Sequence, residues 1–188
     1  MRGSIIPGVR TGRLVRHGDE RGSFREVWRE SWYRKPPSDA TAPTVPRFVQ
    51  ANVSTSAAGV LRGLHMHRRQ VDHWVVLDGR AFVALVDIRP ALAGRGGPVV
   101  ATLEAAVDDW LAIPIGVAHG FLALEPLTLL YMVSAEFDDS DELGFAWDDP
   151  TAAVAWPAAP GTPDGRPILS ERDLTAPRLP DLLEQMKG

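Results

Sequence analysis

Short apolar runs separated by glycine and proline dominate the chain. β-rich stretches cover Val45–Ser54, Trp74–Leu77, Ala81–Ile88, Val99–Leu103, Trp110–Ile113 and Leu127–Ser134. The 17 glycines and 16 prolines scattered between them break long helices. This spacing predicts an antiparallel sandwich or barrel. In Phe48–Ser54 successive side chains point to opposite faces: Val49, Ala51 and Val53 form an apolar face, and Gln50, Asn52 and Ser54 share the other with Phe48. Either the polar side meets water or it lines a polar pocket, since small barrels can enclose one ligand. His65 and His67 would likewise share a face if their segment is a strand. Residues 36–43 and 157–167 read as loops, and Leu182–Met186, opened by Asp181, as one helical turn.

Composition narrows the classes. At 188 residues, with 45% apolar and 23% charged, the chain suits a single globular domain, residues 1–188. No apolar run approaches the roughly 20 residues of a membrane span. The first residues show no signal peptide. Cysteine is absent, which removes disulfides and thiolate ligands and is compatible with a cytoplasmic protein. The net charge of −4 and the lack of a basic run speak against nucleic acid as a partner. A few arginines in a pocket would still suit a phosphorylated small molecule, because the guanidinium fork matches phosphate oxygens.

Four of the five histidines lie in two segments. The first reads G-x5-H-x-H-x4-D-x6-G from Gly59 to Gly79, with His65, His67 and Asp72, and His73 next to the aspartate. The second reads P-x-G-x2-H and ends at His119. Together they resemble the two motifs of the cupin superfamily, whose metal-binding members hold one ion with two histidines, an acidic residue and the later histidine. Here these would be His65, His67, Asp72 and His119, with aspartate in place of glutamate.

A closer resemblance covers about residues 5 to 180. Asp19-Glu20-Arg21-Gly22-Ser23-Phe24-Arg25-Glu26, Gln50-Ala51-Asn52-Val53-Ser54, Val60-Leu61-Arg62-Gly63-Leu64-His65, Val86-Asp87-Ile88-Arg89 and Ile113–Phe121 are similar, in order, to motifs of the dTDP-4-dehydrorhamnose 3,5-epimerase family. Trp147–Pro150, Trp156-Pro157 and Leu169–Asp173 complete the series. The resemblance implies an all-β fold, a cupin-type double-stranded β-helix (jelly-roll) barrel with short peripheral helices. It further implies a homodimer, a nucleotide-sugar substrate and an isomerase reaction without a cofactor or metal.

The family's substrate is a nucleotide-linked 4-keto-6-deoxyhexose. Its ketone acidifies the protons on C3 and C5, so a base, an acid on the opposite face and stabilisation of the enolate suffice for epimerisation. By resemblance His65 is the base, Asp173 the carboxylate that orients it, and Tyr131 the acid; Asp173 could instead only cap the C-terminal segment. Arg21, Phe24, Glu26, Gln50, Asn52, Arg62 and His119 resemble nucleotide and sugar contacts. Three departures stand out. His73-Trp74-Val75 occupies the segment where the family has a lysine near the keto oxygen, so His73 is expected at the substrate. Met66-His67 replaces an aromatic-Gln pair, and Phe137 replaces a second tyrosine. These departures leave open epimerisation at C3, at C5 or at both. A metal-dependent cupin enzyme and a non-catalytic sugar-nucleotide binder are the other readings.

Overall fold

The computed structural model describes residues 5–34 and 47–187. The loop expected over 36–43 and the start of the run at Val45 lie outside the described residues.

Two five-stranded antiparallel sheets face each other. The first contains β1 (Arg10–Arg13), β4 (Gln50–Ser56), β6 (Asp72–Asp78), β9 (Asp109–Ile113) and β11 (Leu127–Val133), in the order β1-β9-β6-β11-β4. The second contains β5 (Leu61–Met66), β7 (Arg80–Asp87), β8 (Val99–Ala106), β10 (Val117–Ala123) and β12 (Leu143–Gly144), in the order β12-β5-β10-β7-β8. A separate hairpin pairs β2 (Arg16–Asp19) with β3 (Gly22–Arg25). Helices are short: α1 (Ser31–Arg34), α2 (Arg89–Leu92), α3 (Glu171–Leu174) and α4 (Leu179–Gln185). This is the jelly-roll arrangement of the cupin type, except that the hydrogen-bonded sheets do not close into one continuous barrel.

Trp74 and Val76 of β6, Leu111 and Ile113 of β9 and Leu129 of β11 meet Val83 and Leu85 of β7 and Phe121 of β10 between the sheets. These face-to-face contacts between the two sheets form the apolar core. Each sheet has a second apolar layer on its outer face. Leu64, Met66, Ala84 and Val86 are covered by Phe145 and by Leu179 and Leu182 of α4. Val75, Trp110 and Ala112 are covered by Leu14, with Trp28, Trp32 and Phe48 packed against them. The C-terminal helix therefore starts earlier than its expected turn at Leu182, because Leu179-Pro180 opens it and Leu179 is fully buried.

Candidate active site

A cavity of about 240 Å³ opens between the sheets. Arg62, His65 and His67 face it from β5 and the residue beyond it; Asp72 and Trp74 from β6; His119 and Phe121 from β10; and Leu129 and Tyr131 from β11. Ser54 of β4 also lines it, so the polar face of that strand turns inward. The alternate face, with Val49 and Val53, is exposed.

Strict alternation would send Arg62 and His65 to opposite faces. The register against β10 shifts between them, where Phe121 pairs with Arg62 and His119 with His65. This bulge brings both side chains to the cavity. It depends on Gly63: φ is +116°, and a Cβ there would lie 2.6 Å from the Gly120 Cα. The two strands approach too closely for any side chain at that point.

His65 Nε2 lies 2.7 Å from Asp173 Oδ1. A carboxylate only accepts, so Nε2–H donates to it, and in the neutral ring the lone pair is on Nδ1. Asp173 sits in α3 and is 5% exposed. The Ser170 hydroxyl donates to its Oδ2 at 2.8 Å while accepting from the Asp173 N–H at 3.2 Å. Ser170 is thus the helix cap, and the Asp173 carboxylate is turned toward His65. Burial alone would raise the Asp173 carboxyl; the His65 hydrogen bond and charge, helped by Ser170 and the Gly63 N–H, outweigh it and hold the group below its ordinary value.

Tyr131 is half-buried on the opposite sheet, paired in register with Trp74 on one side and Asn52 on the other. Burial raises its phenol above the usual 10, as do the charges of Asp72 and Glu142, against the lowering effect of Arg62. The hydroxyl therefore keeps its proton at neutral pH. Arg62 donates to the Ser56 hydroxyl at 3.1 Å and to the Thr55 carbonyl at 3.3 Å, which holds a cation at the cavity wall.

A second polar cluster occupies the cavity wall. His67, Asp72 and His119 are all buried, and one ligand atom of each lies within 4.8 Å of the others. His119 Nε2 is 3.3 Å from Asp72 Oδ2. Burial, and then the charge of His119, lower the His67 imidazole below its ordinary value. Burial would raise Asp72, but His119, His67 and Gln70 together bring it below its ordinary value. The four-residue metal set expected from the cupin motifs is not assembled, because His65 turns to Asp173 instead.

His73 departs from expectation. It does not line the cavity; its neighbours Asp72 and Trp74 do, and strand parity sends His73 to the outer face. There it is fully buried beside Trp110 (5.4 Å between ring centroids) and Phe48, with Nε2 3.4 Å from the Val27 carbonyl. Burial lowers its imidazole to about 4, the Val27 carbonyl opposing and Arg10 adding to the shift. The cavity-facing residues of this stretch are thus Asp72 and Trp74, and His73 packs in the outer layer.

Arg21, Phe24 and Glu26 are also outside the cavity lining. Arg21 pairs with Asp19, Glu26 pairs with Arg29, and Phe24 is 66% exposed. Their hairpin is tied down by Arg16 to Asp108 (2.8 Å) and by Arg25 to the Leu77 carbonyl (3.0 Å). Leu77 is five residues along β6 from Asp72, about 17 Å at roughly 3.3 Å per residue. Gln50 and Asn52 share the inward face of β4 but hydrogen-bond to each other at 3.0 Å, and Gln50 also accepts from the Phe137 N–H at 2.9 Å. Glu142 and Arg172 line the cavity as an ion pair that the sequence reading missed. Arg172 carried a signal, standing next to Asp173; Glu142 carried none.

The sequence profile described as dTDP-4-dehydrorhamnose 3,5-epimerase matches residues 4–181. The chain belongs to the dTDP-4-dehydrorhamnose 3,5-epimerase family. The family's enzyme from Sinorhizobium fredii is 34% identical over 182 residues, 94% of this chain and 88% of that protein. Among solved structures, the rmlC epimerase of Mycobacterium tuberculosis superposes with a TM-score of 0.82 at 33% identity, covering 99% of this chain and 91% of the other. ChmJ, a 3'-monoepimerase from Streptomyces bikiniensis in complex with dTDP-quinovose, gives 0.80 at 28% identity, covering 100% and 91%.

Proposed function

We propose that the protein epimerises a dTDP-linked 4-keto-6-deoxyhexose, with His65, Asp173 and Tyr131 as the reacting set. The observation that carries this reading is the 2.7 Å His65–Asp173 contact on one wall of a cavity whose opposing sheet presents Tyr131. His65 Nδ1 takes the proton from the carbon next to the ketone, and Asp173 stabilises the imidazolium that forms. The electron pair moves into the carbonyl as an enolate. Tyr131 then delivers a proton to the carbon from the opposite sheet, which inverts the centre. Arg62 and His119 supply positive charge or hydrogen bonds around the sugar.

The cavity of about 240 Å³ is below the roughly 300–1,000 Å³ of typical sites for larger ligands. It takes the sugar ring and leaves the nucleotide outside. A homodimer then gives Arg21 and Phe24 a role. Their own hairpin is anchored at the far end of β6, so they reach a nucleotide only if a second copy presents its cavity to them. Absence of cysteine fits a cytoplasmic enzyme. Among the described residues no helix is long and apolar enough to cross a membrane.

The test is incubation with dTDP-4-keto-6-deoxyglucose in heavy water, followed by mass spectrometry of the sugar. One deuterium marks a single-position epimerase and two mark the double activity. No incorporation with this or related 4-ketosugars would refute an enzymatic role and leave a binding protein.

A further inference from the structure

We propose that Asp108 is a positioning residue for the substrate's nucleotide: it clamps one face of the β2–β3 hairpin and so sets the aim of the other face, which carries Arg21 and Phe24. The inference rests on the reading above of those two residues as nucleotide contacts.

The hairpin has two distinct faces. Residues directly opposite in an antiparallel pair share a face, and the faces alternate along each strand. Arg16 pairs with Arg25 and Gly18 with Ser23 on one face; His17 pairs with Phe24 and Asp19 with Gly22 on the other. The first face is docked. Arg16 donates from Nε to Asp108 Oδ2 at 2.8 Å and from Nη2 to Oδ1 at 3.0 Å, a bidentate pair. Arg25 Nε lies 3.1 Å from the same Oδ1, and Arg25 Nη2 donates to the Leu77 carbonyl. One carboxylate therefore holds both strands at a matched pair of arginines. The second face is open. Asp19 accepts from the Arg21 backbone N–H at 2.9 Å and from its Nε at 3.1 Å, which draws the guanidinium from the turn onto the face of His17 and Phe24. These side chains line a surface cavity of about 390 Å³. A guanidinium suits phosphate oxygens and an aromatic ring suits a base, the two ends of a nucleoside diphosphate.

The clamp decides where this face points. Among the described residues the hairpin strands pair only with each other. Phe24 is their one large apolar side chain and it is exposed, so apolar burial does not seat the hairpin. A two-stranded hairpin by itself is marginal in water. Asp108 is a firm anchor: it is 6% exposed and lies in the two-residue turn between β8 and β9. Its N–H donates to the Val76 carbonyl at 2.9 Å, and its carbonyl accepts from the Leu14 N–H at 2.8 Å. Its φ of +74° is left-handed, a region where Asp and Asn are enriched among residues other than glycine.

The test is dTDP titration and steady-state kinetics with Asp108→Asn. Asparagine keeps the left-handed turn but has one accepting oxygen and no charge, so the bidentate clamp is lost. The expected result is a rise of about tenfold or more in the dTDP Kd and the ketosugar KM, with kcat within about threefold, because the hairpin does not touch the reacting carbons. Arg16→Gln breaks the same contact from the exposed side and should reproduce the effect with little change in thermal midpoint. Arg13→Gln, which breaks the neighbouring pair with Asp109, should change neither constant. In the wild type dTDP should shift the ring NMR signals of His17 and Phe24, and in Asp108→Asn the same shift should need correspondingly more dTDP. Unchanged Kd and KM in folded Asp108→Asn and Arg16→Gln, or a fall in kcat with KM unchanged, overturns the proposal. Arg21→Ala and Phe24→Ala separate this failure from that of the reading beneath it. If they weaken dTDP binding while the clamp variants do not, the clamp alone is wrong; if they leave binding intact, the nucleotide reading falls and the clamp with it.

Discussion

Replacing Asp173 by asparagine keeps the shape of the side chain and removes its charge. The carboxylate accepts from His65 at 2.7 Å and from the Ser170 hydroxyl at 2.8 Å, and the Gly63 N–H also favours its charged form. An asparagine has one accepting oxygen, so if it serves His65, its amide N–H₂ faces the Ser170 hydroxyl, a former donor. The larger effect falls on the reaction. When His65 takes a proton, an imidazolium forms beside the carboxylate. Two unit charges about 4 Å apart attract by about 4 kcal/mol at an effective dielectric of about 20. Water reaching the His65 side chain, 27% exposed, brings this to about 3 kcal/mol. That corresponds to a fall in kcat on the order of 10²-fold, with KM within about threefold, since Asp173 touches the base and not the sugar. The assay is solvent deuterium incorporation into the ketosugar under saturating substrate. Stability gives an independent readout. A carboxyl held below its ordinary 3.8 contributes stability that is fully present above that value and is lost as pH falls through the lower folded value. Asp173→Asn should therefore flatten the acid limb of the unfolding profile below about pH 4. A loss of turnover under tenfold in a folded variant would refute the dyad.

The other substitutions test separate links. Tyr131→Phe should retain proton abstraction at His65 but lower net epimerisation at least about 10²-fold; equal losses of exchange and epimerisation would remove Tyr131 from its role as the acid. Gly63→Ala meets the Gly120 Cα at 2.6 Å from a strained φ of +116°, so thermal melts should show a loss of several kcal/mol, about 3 or more, and an unchanged midpoint would contradict the close strand approach. His73→Leu should leave deuterium exchange within about threefold while altering thermal stability, because the ring packs on the outer face; loss of exchange with the fold intact would return His73 to the substrate.

Much of the architecture was legible because half-buried strands write alternation into the chain. The runs at 74–77, 99–103 and 110–113 each fall within a strand of the structure, and those at 81–88 and 127–134 overrun theirs by one residue. β10 escaped the pattern because all seven of its residues are buried, so it has no polar face to alternate. β1 to β3 are four residues each and mostly exposed or half-exposed, too short and too polar to stand out. Strand parity decides which candidates face the cavity. Asp72 and His73 are neighbours in sequence, yet one faces the cavity and the other the outer layer, and a motif compared without register cannot separate them. The opposite problem hid the geometry of β5, where a bulge puts Arg62 and His65 on one side despite odd spacing. Asp173 was found because its motif carried it there; its contact with His65 joins residues 108 positions apart, which no local pattern encodes. Arg21 and Phe24 match the family's motif, but their place at the other end of β6 is a property of the tertiary fold.

Proton exchange by His65 is the central claim. The most direct measurement compares wild-type protein with His65→Ala in heavy water, with a dTDP-4-keto-6-deoxyhexose as substrate and dTDP binding followed in parallel. The expected result is deuterium at C3, C5 or both in the wild type, none above background in His65→Ala, and dTDP affinity within about threefold in the variant. Wild-type levels of exchange in His65→Ala would contradict the account.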